Sequence, residues 1–533
     1  MYVPDSKDIV TKRWPRVLRG FSIEHLWALI VVAGVFMFVS THPIRPHDFW
    51  WHAKIGEEIA RTGRIPSVDT FSFTVPGKAY PSYQSFWLME LALYTFLSLE
   101  GSALVIFVHS LVITAAYGLL LWLCRGVSRS WRVAALCTLF AAALGLSDWN
   151  VRPQAIAPLL GVTLLWVVHY VRGKRGIHPS TSELGGSHKS WWWLALVFFC
   201  MLVWVNSHGS FVIGLVLLGI WLAAEVWGVV KSWLAGEARD WIRLLREPCF
   251  ALLVAVLACL INPRGIGIVT YLATIGGDPV IQNLVTEWLP PSFNSLHGSL
   301  FFIGLLLSAA VLALSSRQPT AFQMLTFSGF AAFGLKTLRG VIWFGIVMAP
   351  VLAVHLPDIG QQARQIIKQR GSSQTAGQSL LINYLIAGFV LLGVVFSLPW
   401  FKGNLAFLGQ KAGLLSFETP VEATRAMIRE QLPTPVFHDM SFGSYLIWAA
   451  HPEYPVFVDP RIELYPTEIW QDYLAISAAV ADWEDRLDKY GINTLLLSLE
   501  NQGPLIEAAR ESSHWRLVYQ AAPAVIFVRE VRQ

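Results

Sequence analysis

The chain reads as a polytopic α-helical membrane protein of about eleven spans, with interfacial helices in its first outer loop and a small α/β domain at its C-terminus. Three observations predict this. Of the 533 residues, 54% are hydrophobic and only 14% charged, with 24 tryptophans, more apolar surface than a water-soluble enzyme can hide. Apolar runs of the roughly 17 to 25 residues needed to cross about 30 Å of hydrocarbon as helix recur along the chain as far as Pro399. Past Lys402 the composition turns water-soluble. Helices are the expected spans, because every backbone polar group in lipid must find its partner within the protein.

The first apolar run, near His25 to Ser40, follows Lys7, Lys12, Arg13, Arg16 and Arg19. It has no small-residue cleavage site and reads as an uncleaved signal anchor. Further spans start near Ala103, Arg132, Gln154, Trp191, Ser210, Cys249, Ser299, Ala321, Val341 and Leu380. Between the first two lies "DFWWHAKIGEEIA", Asp48 to Ala60, with an aspartate at the N-cap, no breaker inside, and "RTGRIP" to end it: a helix. Phe49, Trp50, Trp51, Ile55 and Ile59 give it an apolar side suited to the bilayer interface. "SFWLMELALYTFLSL", Ser85 to Leu99, is short for a span and reads as a second interfacial helix. Lysine and arginine favour alternate loops, including "RGKRG" (Arg172 to Gly176), in the sense that puts the N-terminus inside and, with an odd number of spans, the tail outside.

This divides the chain into a membrane part, 1–401, and an extracytoplasmic part, 402–533. In the latter, "TPVFHD" (Thr434 to Asp439), "YPVFVD" (Tyr454 to Asp459), "INTLLLS" (Ile492 to Ser498) and "AVIFVRE" (Ala524 to Glu530) read as strands. Thr467 to Ser477 and Ala481 to Tyr490 read as helices. The net charge of +5 reports topology more than an acidic partner, and nucleic acid is not an expected ligand. All five cysteines fall in or beside apolar spans, a placement that suggests neither a disulfide framework nor a thiolate zinc cluster.

The polar motifs cluster on the outer side. Asp48 and His52, four apart on a helix, share a face, and Asp69 follows in the same loop. Two carboxylates there divide work if one takes a proton from a hydroxyl and the other orients it or holds a cation; the alternatives are an N-cap for Asp48 and a turn for Asp69. His47, Asp48 and His52 have the donors for a divalent metal, although no further ligand follows at recognisable spacing. Arg152, Arg264, Lys336 and Arg339 stand at outer span ends, where together they suit a lipid phosphate and singly would snorkel to headgroups. Glu90 would be half immersed and needs a partner; Glu287 is the other outer carboxylate. Asn206 and His208 either bind a polar ligand or build a tight turn.

"HDFWWHAKIGEEIARTGRIPSVDTFSF" with "WLMELALY", then "RPQ" at Arg152 to Gln154, resembles the GT-C superfamily of membrane glycosyltransferases, in particular bacterial relatives of the protein mannosyltransferases and aminoarabinose transferases. The resemblance implies a polyprenyl-phosphate-linked sugar donor, a lipid, glycan or protein acceptor, and the outer face of a bacterial-type cytoplasmic membrane. It implies that the first-loop acid, here Asp48, is a general base or metal ligand. Phe49 stands where the mannosyltransferases pair two acids. "FGSYLIWAAHPEYPVFVDPRIELY", Phe442 to Tyr465, resembles a tail of uncharacterised bacterial members; Asp459 and Arg461 in it either contact acceptor or form an internal pair. The rival functions are a lipid-linked-glycan transporter, an O-antigen-ligase-like enzyme and a non-catalytic assembly protein.

Overall fold

The computed structural model describes residues 21–174, 191–237, 240–277, 286–368, 380–405, 409 and 412–530. The basic N-terminal stretch and parts of the basic loops after Lys174 and Lys368 lie outside them. The helices that carry the apolar runs are α1 (Ile23–Thr41), α3 (Tyr83–Ser128), α4 (Trp131–Gly145), α5 (Ala157–Lys174), α6 (Trp192–Val205), α7 (Val212–Leu234), α8 (Trp241–Cys259), α10 (Leu296–Leu314), α11 (Ala321–Lys336), α12 (Arg339–Lys368) and α13 (Leu380–Ser397). All eleven expected segments are therefore helical. Among the described residues six helices are long and apolar enough to cross a membrane, and three more are apolar but shorter. Their shared core is rich in Ala, Leu and Val, with Trp193, Trp204, Trp221 and Trp343 filling its wider gaps. Small residues set the closest approaches: at Gly161 and Gly214 any Cβ would collide with neighbouring side chains.

The first loop holds α2 (Phe49–Thr62), which Gly63 ends in the left-handed conformation, φ 67°. The N-terminal part of α3 is set off from the rest by non-helical backbone at Glu100 and Gly101, so the expected second helix exists as a bent extension of the next span. Here the structure departs from the sequence reading. The tryptophans of α2 face protein rather than lipid: Trp50 is 3% exposed and packs edge-on to Tyr445 at 5.2 Å and beside Trp448 at 6.0 Å. An aromatic stripe looks the same in sequence whether it meets headgroups or a docked domain.

That partner is the C-terminal α/β unit. Its sheet runs β1 (Val436–His438), β2 (Thr494–Ser498), β4 (Ala524–Arg529), β3 (Trp515–Ala521), with β1 and β2 parallel and the other pairs antiparallel. Around it lie α14 (Val421–Arg429), α15 (Met440–Ala449), α16 (Thr467–Ser477), α17 (Trp483–Lys489) and α18 (Gly503–Glu511). "YPVFVD" joins no sheet strand. It runs beside the first loop, where Val456 N–H donates to Phe71 O at 2.9 Å and Phe73 N–H to Val456 O at 3.2 Å. One apolar core then joins Trp51, Ile55, Phe71 and Tyr83 to Phe437, Val458 and Leu496. The remaining helix, α9 (Gly267–Gly277), is a short one beside the cavity described next.

Candidate active site

A cavity of about 720 Å³ lies where the first loop, the ends of α5, α7 and α12, and the C-terminal unit meet. Asp48, the residue just before α2, lines it. Its carboxylate makes no cap hydrogen bond. Instead Arg152 Nε stands 3.0 Å from Asp48 Oδ2, and the same guanidinium donates through Nη1 to Glu287. Arg339 Nε donates to the other Glu287 oxygen at 2.9 Å. Two arginines thus grip one carboxylate, with a second acid at the flank. Burial pushes the Glu287 pKa up, but the two arginines outweigh it and hold the group at about 2. His208, across the cavity, is held down to about 3 by burial and by Arg339, so it stays neutral at ordinary pH. Its Nδ1 and the Ser210 hydroxyl lie 2.8 Å apart.

One turn along α2 from Asp48, His52 also lines the cavity. Its Nδ1 lies 2.9 Å from Glu90 Oε1, both side chains being buried, and its ring packs on Trp51 with centroids 3.5 Å apart. Gly56 makes this pair reachable: any Cβ there would collide with the Glu90 carbonyl and the Tyr94 side chain, so only glycine lets α2 lie so close to α3. Burial, then the nearby His208, Arg152 and Arg461, push the His52 pKa well below its usual value. Glu90 itself does not reach the cavity lining.

The C-terminal unit supplies Met440, Pro460, Arg461, Ile462 and Glu463 to the cavity wall. Arg461 is fully buried and bidentate on Asp459, at 2.8 and 2.5 Å. Its Nη1 also donates to Asp69 at 2.6 Å and to the Tyr83 hydroxyl at 2.5 Å. Tyr465 O–H closes the cluster on Asp459. Asp69 is accordingly a buried partner of Arg461, its other oxygen taking the Ser72 N–H at 3.0 Å, and it does not line the cavity. The expected internal Asp459–Arg461 pair is present, with a third charge from the first loop added to it. Tyr80, Tyr271 and Glu463, which sequence reasoning passed over, complete this end; Tyr80 O–H donates to Glu463 at 2.6 Å. No residue pattern singles out such tyrosines.

The other expected residues stand apart. Lys336 is exposed and outside the cavity lining. Arg264 lies 3.8 Å from the centroid of the Tyr271 ring and donates to the Pro81 carbonyl, behind the wall rather than in it. Asn206 braces a turn, accepting from Trp87 Nε1 at 2.8 Å and donating to Leu202 O and Ile261 O, each at 2.9 Å. Among the described residues no three His, Cys, Asp or Glu side chains gather as they would around a metal ion. His47 and Asp48 line the cavity, but Arg152 already engages Asp48 and Glu90 engages His52, so this donor set does not fit a metal as it stands.

Solved structures share this arrangement of helices and C-terminal unit. AglB, the archaeal oligosaccharyltransferase from Archaeoglobus fulgidus, tethered to an acceptor peptide containing the NVT sequon, superposes with TM-score 0.53 at 15% identity over 95% of this chain and 74% of that one. The same enzyme with an inhibitory peptide and a dolichol-phosphate gives 0.51 at 12% identity, with the same coverage. ArnT from Cupriavidus metallidurans in the apo state gives 0.50 at 14% identity over 94% of this chain and 96% of that one. The likeness is one of fold. No family model and no curated protein matches the sequence. Within this fold the cavity sets Asp48, Arg152, Glu287 and Arg339 in a row.

Proposed function

We propose that the protein is a membrane glycosyltransferase that moves a sugar from a polyprenyl-phosphate-type donor to a hydroxyl-bearing acceptor at the outer face of a bacterial-type cytoplasmic membrane. In this reading the chain crosses the membrane about eleven times, with the N-terminus inside and residues 402–533 outside. The observation that carries it is the Asp48–Arg152–Glu287–Arg339 row in a large cavity of a GT-C fold. The dolichol-phosphate in the AglB structure supports a lipid-linked donor.

The chemistry uses those groups as follows. A phosphate replaces Glu287 between Arg152 and Arg339, which offer it charge-assisted hydrogen bonds. The acceptor oxygen attacks the anomeric carbon from the opposite face, its proton passes to Asp48, and the bond from that carbon to the phosphate breaks with the electron pair leaving on phosphate. Arg461 and Glu463, held by Asp459 and Tyr80, face the acceptor side. His52 and His208 line the space between. Lys336, Arg264, Asn206 and Asp69 have supporting or no roles.

The test is donor cleavage by the purified protein with a panel of polyprenyl-phosphate sugars. Asp48→Asn lowers turnover by about 10² to 10⁴ if the carboxylate accepts the proton. Equal turnover in the two proteins removes Asp48 as the base.

A further inference from the structure

The helical bundle carries a second cavity, of about 200 Å³, at its other end. Ala157 of α5 lines the larger cavity and Tyr170 the smaller, and the helix between them rises about 20 Å. The smaller cavity lies between the last turns of α3, the start of α4 and the end of α5.

Its walls are Trp122, Trp131, Trp166 and Tyr170, with Arg125 and His169 the polar members and, among the described residues, no carboxylate in the lining. Arg125 holds its guanidinium 5.4 Å from the Trp131 ring centroid, and its Nε is buried with no hydrogen-bond partner. Two carboxylates on neighbouring helices are already engaged: Glu24 faces Arg132 at 3.7 Å, and Glu225 takes Arg172. A cation beside apolar walls, with an N–H lacking an acceptor, selects for an anion.

The walls narrow the choice further. Trp166 and Tyr170 stack in parallel, 5.2 Å apart, and Trp122 at the rim is 56% exposed, as an interfacial aromatic belt would be. A choline or ethanolamine headgroup would compete for rings that Arg125 and Lys174 already cover, Lys174 lying 4.6 Å from the Tyr170 centroid. Its ammonium would also find no carboxylate among the described lining residues.

We propose that this cavity binds the phosphate of an anionic glycerophospholipid, in the leaflet opposite the larger cavity. The phosphate accepts from the Arg125 guanidinium, and the glycerol and first methylenes rest on the indoles. The site stands independently of the transferase reading.

Native mass spectrometry of the full chain, with phosphatidylglycerol, phosphatidylcholine or polyprenyl phosphate added, tests it. The wild type retains phosphatidylglycerol over phosphatidylcholine, and Arg125→Gln weakens that retention at least about tenfold. Arg125→Lys, which keeps the charge and loses the fork, falls between. Should the Gln variant not fold, Trp131→Leu in its place removes the ring beneath the guanidinium and lowers retention. The proposal is overturned if phosphatidylglycerol is held equally well without Arg125, or if Arg125→Gln releases polyprenyl phosphate instead.

Discussion

Asp48 owes its place to neighbours that lie far apart in sequence. Its position before an interfacial-looking helix was legible, and so was the presence of cations at outer span ends. Which of those cations meets it was not: Arg152 does, Arg339 reaches only the neighbouring Glu287, and Lys336 and Arg264 reach neither, because side-chain direction at a span end depends on packing that local pattern does not encode. The same holds for Arg461, whose Asp459 partner is two residues away and whose Asp69 partner belongs to the first loop. Removing this guanidinium leaves two buried carboxylates uncompensated, so Arg461→Met should destabilise the protein by about 3–5 kcal/mol, read from thermal or denaturant unfolding in detergent. Glu287 gives a pH signature. Its folded pKa, about 2, lies below the ordinary 4.5, so its stabilisation is complete above about pH 4.5 and lost as the pH falls towards 2. Glu287→Gln should flatten that part of the stability-against-pH curve.

At the scale of elements, α2 is the hinge of the account. Its helical pattern and its stop at Gly63 were both readable; the destination of its aromatic face was not, since burial against a domain needs a partner some 390 residues on, roughly the separation of Trp50 from Tyr445. Two substitutions test the packing. Gly56→Ala forces α2 away from α3 and should break the His52–Glu90 contact, lowering stability through overpacking by about 1–3 kcal/mol. Trp50→Ala removes the side chain wedged between Phe49, Tyr445 and Trp448 and should cost about 3–5 kcal/mol. Limited proteolysis would then release the C-terminal unit from the bundle earlier than in the wild type.

For the whole molecule, the apolar runs announced the bundle because length and hydropathy are properties of each segment alone. The C-terminal unit was partly legible: strands β1, β2 and β4 fall inside three of the four expected runs. The fourth, "YPVFVD", is apolar and extended but pairs with the first loop, and β3 escaped notice because its mostly exposed face lacks an apolar run. The pairing of "YPVFVD" bears on the site, since the first loop and the segment after this run close one side of the cavity. The likeness to AglB and ArnT is one of fold; the central claim is that this cavity receives a lipid phosphate between Arg152 and Arg339. An experimental structure of the protein with undecaprenyl phosphate bound tests that claim most directly. The account predicts phosphate density between the two guanidinium groups, with the Glu287 carboxylate moved aside; phosphate bound elsewhere, with both arginines still on Glu287, would contradict it.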